Sequence, residues 1–260
     1  MSNIYDLTVI VPGIRPHNWN MIYDQLKEAV GPFTFEVIAI GPKFPDAAFF
    51  SDKLNFRFIR DFGHPSRCLQ IASEFAKGKF LCWLPDDIIL EKGSLQKCLE
   101  FMADKPVLDG MTLKYSEGTG FTGNQPEDES YWIARTHQDQ RVEGVKEGWK
   151  IAPVFLYYTE TFIKVGGLDC RFEHINFNTH DLAYRIQSAG GTIHLSPCKV
   201  FSADWTPNDS VVSGAHYQND LPLFVRIYSD PSNLHKRAII SFDNWKQQSP
   251  FWYRRYGKTN

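Results

Sequence analysis

Apolar residues occur in short blocks separated by Gly-Pro pairs and polar punctuation, and the blocks alternate between two periods. Leu7–Val11 is a short apolar run closed by Pro12-Gly13, which predicts a buried strand ending in a turn. Asn20–Val30 sets Met21, Ile22, Leu26, Ala29 and Val30 at helical spacing and stops at Gly31-Pro32. Phe35–Ile40 predicts a second buried strand and Asn55–Ile59 a shorter third. Residues 66–77 predict a helix with Ser66 as its cap and Gly78 as its stop, and Lys79–Leu84 a fourth strand running into Pro85-Asp86-Asp87. Gly93–Met102 predicts a further helix. Strands alternating with helices predict an α/β fold: a Rossmann-like, mostly parallel central sheet with helices on both faces.

The pattern loosens after residue 115. Residues 115–148 are polar and Gly-rich, with an acidic cluster at Glu127, Asp128 and Glu129, and read as an insert beside the core. Order returns with a strand at Ala152–Tyr158, a helical turn at Thr161–Val165 ending in Gly166-Gly167, and an amphipathic helix at Asp181–Ala189. Thr192–Leu195 and Lys199–Phe201 predict short late strands, and the last 55 residues read as irregular. The expected division is a domain over 1–205 and an extension over 206–260 that packs on or over the site.

Composition narrows the function. The 260 residues are 43% hydrophobic and carry a formal net charge of -2, which gives no electrostatic footprint for nucleic acid. Five scattered cysteines without CxxC spacing argue against a zinc knuckle or a disulfide framework and fit a reducing compartment. No run approaches 18 apolar residues and no signal-type stretch opens the chain, so the expectation is a soluble cytoplasmic protein able to work at the inner face of a membrane. The terminal Phe251-Trp252-Tyr253-Arg254-Arg255-Tyr256 segment reads either as such a peripheral contact or as packing on the core.

Two constellations carry chemistry. Asp86-Asp87 follows an apolar strand, and open α/β sheets bind ligands at the carboxyl ends of their strands. Paired carboxylates there suit a hard divalent cation bridging to phosphates. The second runs from Gly166-Gly167-Leu168-Asp169 through Phe172 and Asn178-Thr179-His180-Asp181 to Arg185. Asp181 is expected at a helix start, with Arg185 one turn on. The first turn lacks GxGxxG, which argues against a dinucleotide site.

Together Ile10-Val11-Pro12, Ala76 to Leu84, Pro85-Asp86-Asp87, Gly166 to Phe172 and Asp181-Leu182-Ala183-Tyr184-Arg185 resemble the family 2 glycosyltransferases with the GT-A fold, over roughly residues 5–205. That resemblance implies a nucleotide-diphosphate sugar donor, a glycan or lipid-linked acceptor, an inverting transfer, and Mn2+ or Mg2+ as cofactor. It places Asp87 at the metal, with Asp204 or His216 as further ligands. Pro12, Gly13 and Asp86 line the donor side, and Asp61 stands in for the base-binding acid that Gly41 replaces. Arg15 and Arg67 add charge near the phosphates. The family's general base falls on Thr179, so the base is sought among Asp181, His180, Glu173 and Asp169, in that order for the first two. A nucleotidyltransferase and a non-catalytic nucleotide- or carbohydrate-binding relative are the competing readings.

Overall fold

The computed structural model describes residues 4–46, 53–117, 149–169, 171–203 and 216–228. Strands β1 (Tyr5–Pro12), β2 (Phe35–Gly41), β3 (Phe56–Arg60), β4 (Gly78–Trp83), β5 (Ile88–Leu90), β6 (Gly110–Glu117), β7 (Phe155–Tyr158) and β8 (Ile193–Ala203) form one sheet in the order β3-β2-β1-β4-β7-β6-β8-β5. The half built from β3, β2, β1 and β4 is parallel. All seven residues of β2 are buried, as expected of a strand covered on both faces.

Helix α1 (Trp19–Val30) links β1 to β2, and α2 (Pro65–Ser73) links β3 to β4. The two crossovers run in opposite directions along the sheet, so right-handed connections put the helices on opposite faces. Helix α3 (Ser94–Ala103) packs on α1 and β8, whereas α2 meets the later helix α5 (Ile175–Ser188). The short α4 (Thr159–Lys164) lies against β4.

The expectation of a mostly parallel sheet is corrected to a mixed one. β7 is antiparallel to both β4 and β6, and β5 is antiparallel to β8. Two of these strands escaped the sequence reading. β6 alternates Met111, Leu113 and Tyr115 inward, a period-two signal interrupted by the equally buried Thr112. β5 has only three residues, with Ile89 turned to solvent. The two predicted late strands are one, β8, whose pairing with β6 slips between Leu195 and Lys199.

Three helix boundaries also move. α2 is capped by His64, whose Nδ1 accepts the Arg67 N–H at 3.2 Å, and it ends at Ser73, while Ser66 is buried inside its first turn. The tail contains a π-helical turn, His216–Asp220, and then α6 (Leu221–Tyr228). α5 begins six residues before Asp181, so Asp181 stands mid-helix and draws nothing from the N-terminal dipole.

Buried residues fill α5 continuously from Phe177 to Ile186, because it is covered by the core on one side and by α6 on the other. Phe172, Phe177, Tyr184, Leu223, Phe224, Ile227 and Tyr228 form a satellite apolar cluster there. At its base Asp181 and Arg185 are both fully buried, with Arg185 Nε donating to Asp181 Oδ2 at 2.9 Å. Arg185 also donates to the carbonyls of Val165 and Gly167, while the Tyr228 hydroxyl donates to Asp181 Oδ1 at 2.5 Å. One ion pair thus joins α5, the Gly166-Gly167 turn and the tail helix.

Removing one partner from such a pair leaves a buried charge uncompensated. Asp181→Ala should cost about 3–5 kcal/mol, and Tyr228→Phe about 1.5–3 kcal/mol as a lost bond to a charged group. Urea titration of each variant against wild type checks both, and changes below about 0.5 kcal/mol would contradict this account of the junction.

Candidate active site

Diverging crossovers open a crevice beyond the carboxyl ends of β1 and β4, which is where open α/β sheets bind ligands. β1 ends at Pro12, and the chain then runs through Gly13, Ile14 and Arg15 across the end of β4. Asp86 is buried beneath this loop. Its Oδ2 accepts the N–H groups of Ile14 and Arg15, each at 2.7 Å, and its Oδ1 accepts Arg15 Nη1 at 2.6 Å. Asn18 Nδ2 donates to the Asp86 carbonyl at 2.8 Å. Asp86 therefore spends its carboxylate on shaping the loop. Asp87 is placed differently: its side chain is 16% exposed, and its Oδ2 lies 3.8 Å from Arg15 Nη1.

Two glycines make this geometry possible. A Cβ on Gly13 would overlap the Asp86 carboxylate, and one on Gly41 would overlap the Gly13 carbonyl oxygen. An acidic side chain at 41 is thus sterically excluded by the same loop that Asp86 holds. Asp61 follows β3 and anchors to Gly41 through its own N–H, 3.1 Å from the Gly41 oxygen. Arg67 reaches back from α2 to grip Asp61 in a fork, Nε to Oδ1 at 2.9 Å and Nη2 to Oδ2 at 3.0 Å. The predicted donor-side residues Pro12, Gly13, Arg15, Asp61, Arg67 and Asp86 thus gather at the strand ends, with the two arginines engaged by acids.

A second group lies around the start of α5. Asp169 is fully buried and forked by Arg171, Nε to Oδ1 at 3.0 Å and Nη2 to Oδ2 at 2.7 Å. Asn178, at the position where the resemblance puts a glutamate, clamps the Asp169 backbone: its Oδ1 accepts the Asp169 N–H and its Nδ2 donates to the Asp169 carbonyl, both at 2.9 Å. Thr179 Oγ1 donates to the Asn176 carbonyl of its own helix at 2.8 Å. His180 is buried edge-on to Phe177. Glu173 is 5% exposed in the loop before the helix.

That loop is held by a residue the sequence reading missed. Asp220, from the tail, accepts the N–H groups of Glu173 at 2.9 Å and His174 at 2.7 Å. Burial pushes its carboxyl up to about 7, against the pull of the backbone bonds and Asn219, and the charge of Glu173 adds to the rise. Because the folded value lies above the ordinary one, the stability this group contributes is full in acid and lost as pH rises through about 7. Gln70 is the other missed contributor: its Oε1 accepts the Leu168 N–H at 2.7 Å and ties α2 to the Gly-Gly turn. Neither stood in a motif; only the packing of distant elements identifies them.

Of the expected metal ligands, Asp204 and the side chain of His216 lie outside the described residues. Among the described residues no three acidic, histidine or cysteine side chains gather as a cation site. Mg2+ and Mn2+ commonly bind through one or two carboxylates with water and substrate phosphates completing the shell, and Asp87 fits as one such ligand.

No family model matches the chain and no curated protein matches it. Among solved structures it is similar to S. aureus TarS, at 17% identity and a TM-score of 0.56, over 92% of this chain and 43% of that one. A structure of residues 1–349 of TarS gives the same identity and score and is covered to 71%. A structure titled GalNAc-T7 with UDP, GalNAc and Mn2+ aligns at 14% identity and a TM-score of 0.58, over 95% of this chain and 57% of the other. The chain thus spans less than half of the longer TarS chain, and at these identities the likeness is one of fold.

Proposed function

We propose that the chain is a metal-dependent glycosyltransferase of GT-A type, moving a sugar from a nucleoside-diphosphate sugar to an acceptor hydroxyl with inversion. The observation that carries this reading is the Asp86-Asp87 step at the end of β4. Asp86 is consumed in building the β1 loop, which leaves the partly exposed Asp87 beside Arg15 at the rim of the crevice. The fold likeness supports it, since the structure of GalNAc-T7 contains UDP, GalNAc and Mn2+. In this reading residues 1–205 are the catalytic domain, with 206–260 an extension on or over the active site.

A nucleoside diphosphate in the crevice would lie over the Pro12–Arg15 loop that Asp86 holds in place. Asp87 would hold the divalent cation, with Asp204 and His216 as further ligands. When bound, that cation neutralises charge on the departing diphosphate. Arg15 supplies fixed positive charge at the same edge, and the Asp61–Arg67 fork frames the base side. On the acceptor side we assign Glu173 as the general base, with His180 next. Asp181 and Asp169 each have both oxygens committed to a guanidinium or phenol, so they serve as frame. Glu173 takes the hydroxyl proton as the oxygen attacks the anomeric carbon and the bond to the diphosphate breaks.

The burial of every base candidate favours a second reading, a nucleotide-binding relative without turnover. Release of nucleoside diphosphate from a panel of sugar nucleotides, with Mn2+ or Mg2+ present, separates the readings. Tight donor binding without release would support the binding module, and pyrophosphate as product would indicate nucleotidyl transfer. For a transferase, Asp87→Asn should lower kcat/KM by about 100-fold or more while leaving the denaturation midpoint unchanged. Glu173→Gln should lower kcat by about 100- to 10,000-fold with donor affinity retained, and wild-type kcat in that variant would remove Glu173 from the base role.

A further inference from the structure

On the face of the sheet that carries α1, two cysteines meet across α3 and β8, and the proposed transfer uses neither. β8 slips its register against β6 at Ser196–Cys198, where the Ser196 hydroxyl donates to the Cys198 carbonyl at 2.7 Å and accepts the Lys114 N–H at 2.8 Å. This irregularity turns Cys198 toward α3. Its Sγ lies 3.8 Å from the carbonyl of Ser94, one helical turn before Cys98 and on the same face. Cys98 is fully buried on that face of α3 and Cys198 is part-exposed, so the β8 thiol approaches the turn that carries the α3 thiol from the solvent side.

The pair is asymmetric. The neighbouring Cys98 thiol holds the Cys198 thiol down to about 7, against burial; Lys97 of α3 and Lys114 of β6 lower it further, and Glu91 opposes them. The Cys198 thiol, with burial, pushes Cys98 well up. Cys68 and Cys82 are buried and pushed up as well, chiefly by burial. Reactive thiols are accessible and thiolate-leaning, and a neighbouring protonated thiol supplies the second sulfur.

We propose that Cys198 and Cys98 form a hydroperoxide-responsive thiol pair, in which Cys198 is oxidised first and Cys98 closes a disulfide from α3 to β8. The Cys198 thiolate attacks a peroxide oxygen, the O–O bond breaks, and the other oxygen leaves as alcohol or water after taking a proton. Cys198 is then a sulfenic acid. Cys98 attacks that sulfur, the S–O bond breaks, and the hydroxide leaves as water with the proton of the Cys98 thiol. Two thiols are thereby oxidised by two electrons and one peroxide is reduced.

The product would brace a corner that is already tied. Val200 accepts the Glu91 N–H at 2.8 Å and the Ser94 hydroxyl at 3.2 Å, and Lys199 pairs with Glu91 at 2.7 Å. β5 runs directly from Asp87 into this corner, so oxidation is connected by three residues to the crevice.

Treating the full chain with one to five equivalents of hydrogen peroxide, then alkylating and mapping peptides by mass spectrometry, tests the proposal without any substitution. The expected result is a Cys98–Cys198 linked peptide, reversed by dithiothreitol, formed at least about tenfold faster than oxidation of Cys68 or Cys82. In Cys98→Ser, dimedone should trap a sulfenic acid at Cys198. In Cys198→Ser, Cys98 should remain alkylatable under the same dose. A linked peptide joining other cysteines in wild type, or Cys198 oxidised no faster than Cys82, would overturn the proposal. So would over-oxidation of Cys198 with Cys98 left unlinked.

Discussion

One buried carboxylate decides the shape of the crevice. Asp86 receives two backbone N–H groups and a guanidinium from the loop after β1, and so brings the ends of two neighbouring parallel strands into contact. A carboxylate satisfied by charge-assisted and backbone donors bears burial that an unpaired one would not. The consequences spread outward. Gly13 must lack a side chain to pass over Asp86, Gly41 must lack one to pass under Gly13, and Asp61 is drawn in by its bond to Gly41. Asp87, one residue further along, is left at the rim.

The opposite wall depends on a comparable device. The Asp181–Arg185 pair joins α5 to the Gly166-Gly167 turn, and Tyr228 and Asp220 bring the tail onto the same helix and the loop before it. Residues that a motif would mark as chemical thus serve as structural fixtures, because both oxygens of the carboxylate are committed in a site closed to solvent. Loop and tail are coupled by direct hydrogen bonds to Glu173 and His174, so the acceptor side as we propose it is assembled only when the tail is docked.

Much of the fold was legible from local pattern. β1, β2, α1 and α3 fall within a residue or two of their predicted bounds, since each is a strong apolar run or stripe with Gly or Pro at one of its ends. β5 is too short to have a period, and β6 hides its alternation behind a buried threonine. The start of α5 was missed for a different reason: Ile175 to His180 is polar at positions that face other protein, so hydrophobicity marks no face.

The residues alone determined that this chain folds as strands alternating with helices, and that Asp86-Asp87 ends a central strand, because apolar periodicity and punctuation are local properties. Adjacency in sequence made the two aspartates look alike. Tertiary structure separated them, since only the approach of the β1 loop from some seventy residues away buries Asp86 under two backbone donors and sets Asp87 part-exposed beside Arg15. The same holds for Asp181, whose isolation from solvent is the work of Tyr228 and the tail helix, 47 residues on. Burial and hydrogen-bond saturation belong to the assembled chain, and they divide the carboxylates that hold the fold from those we propose to act.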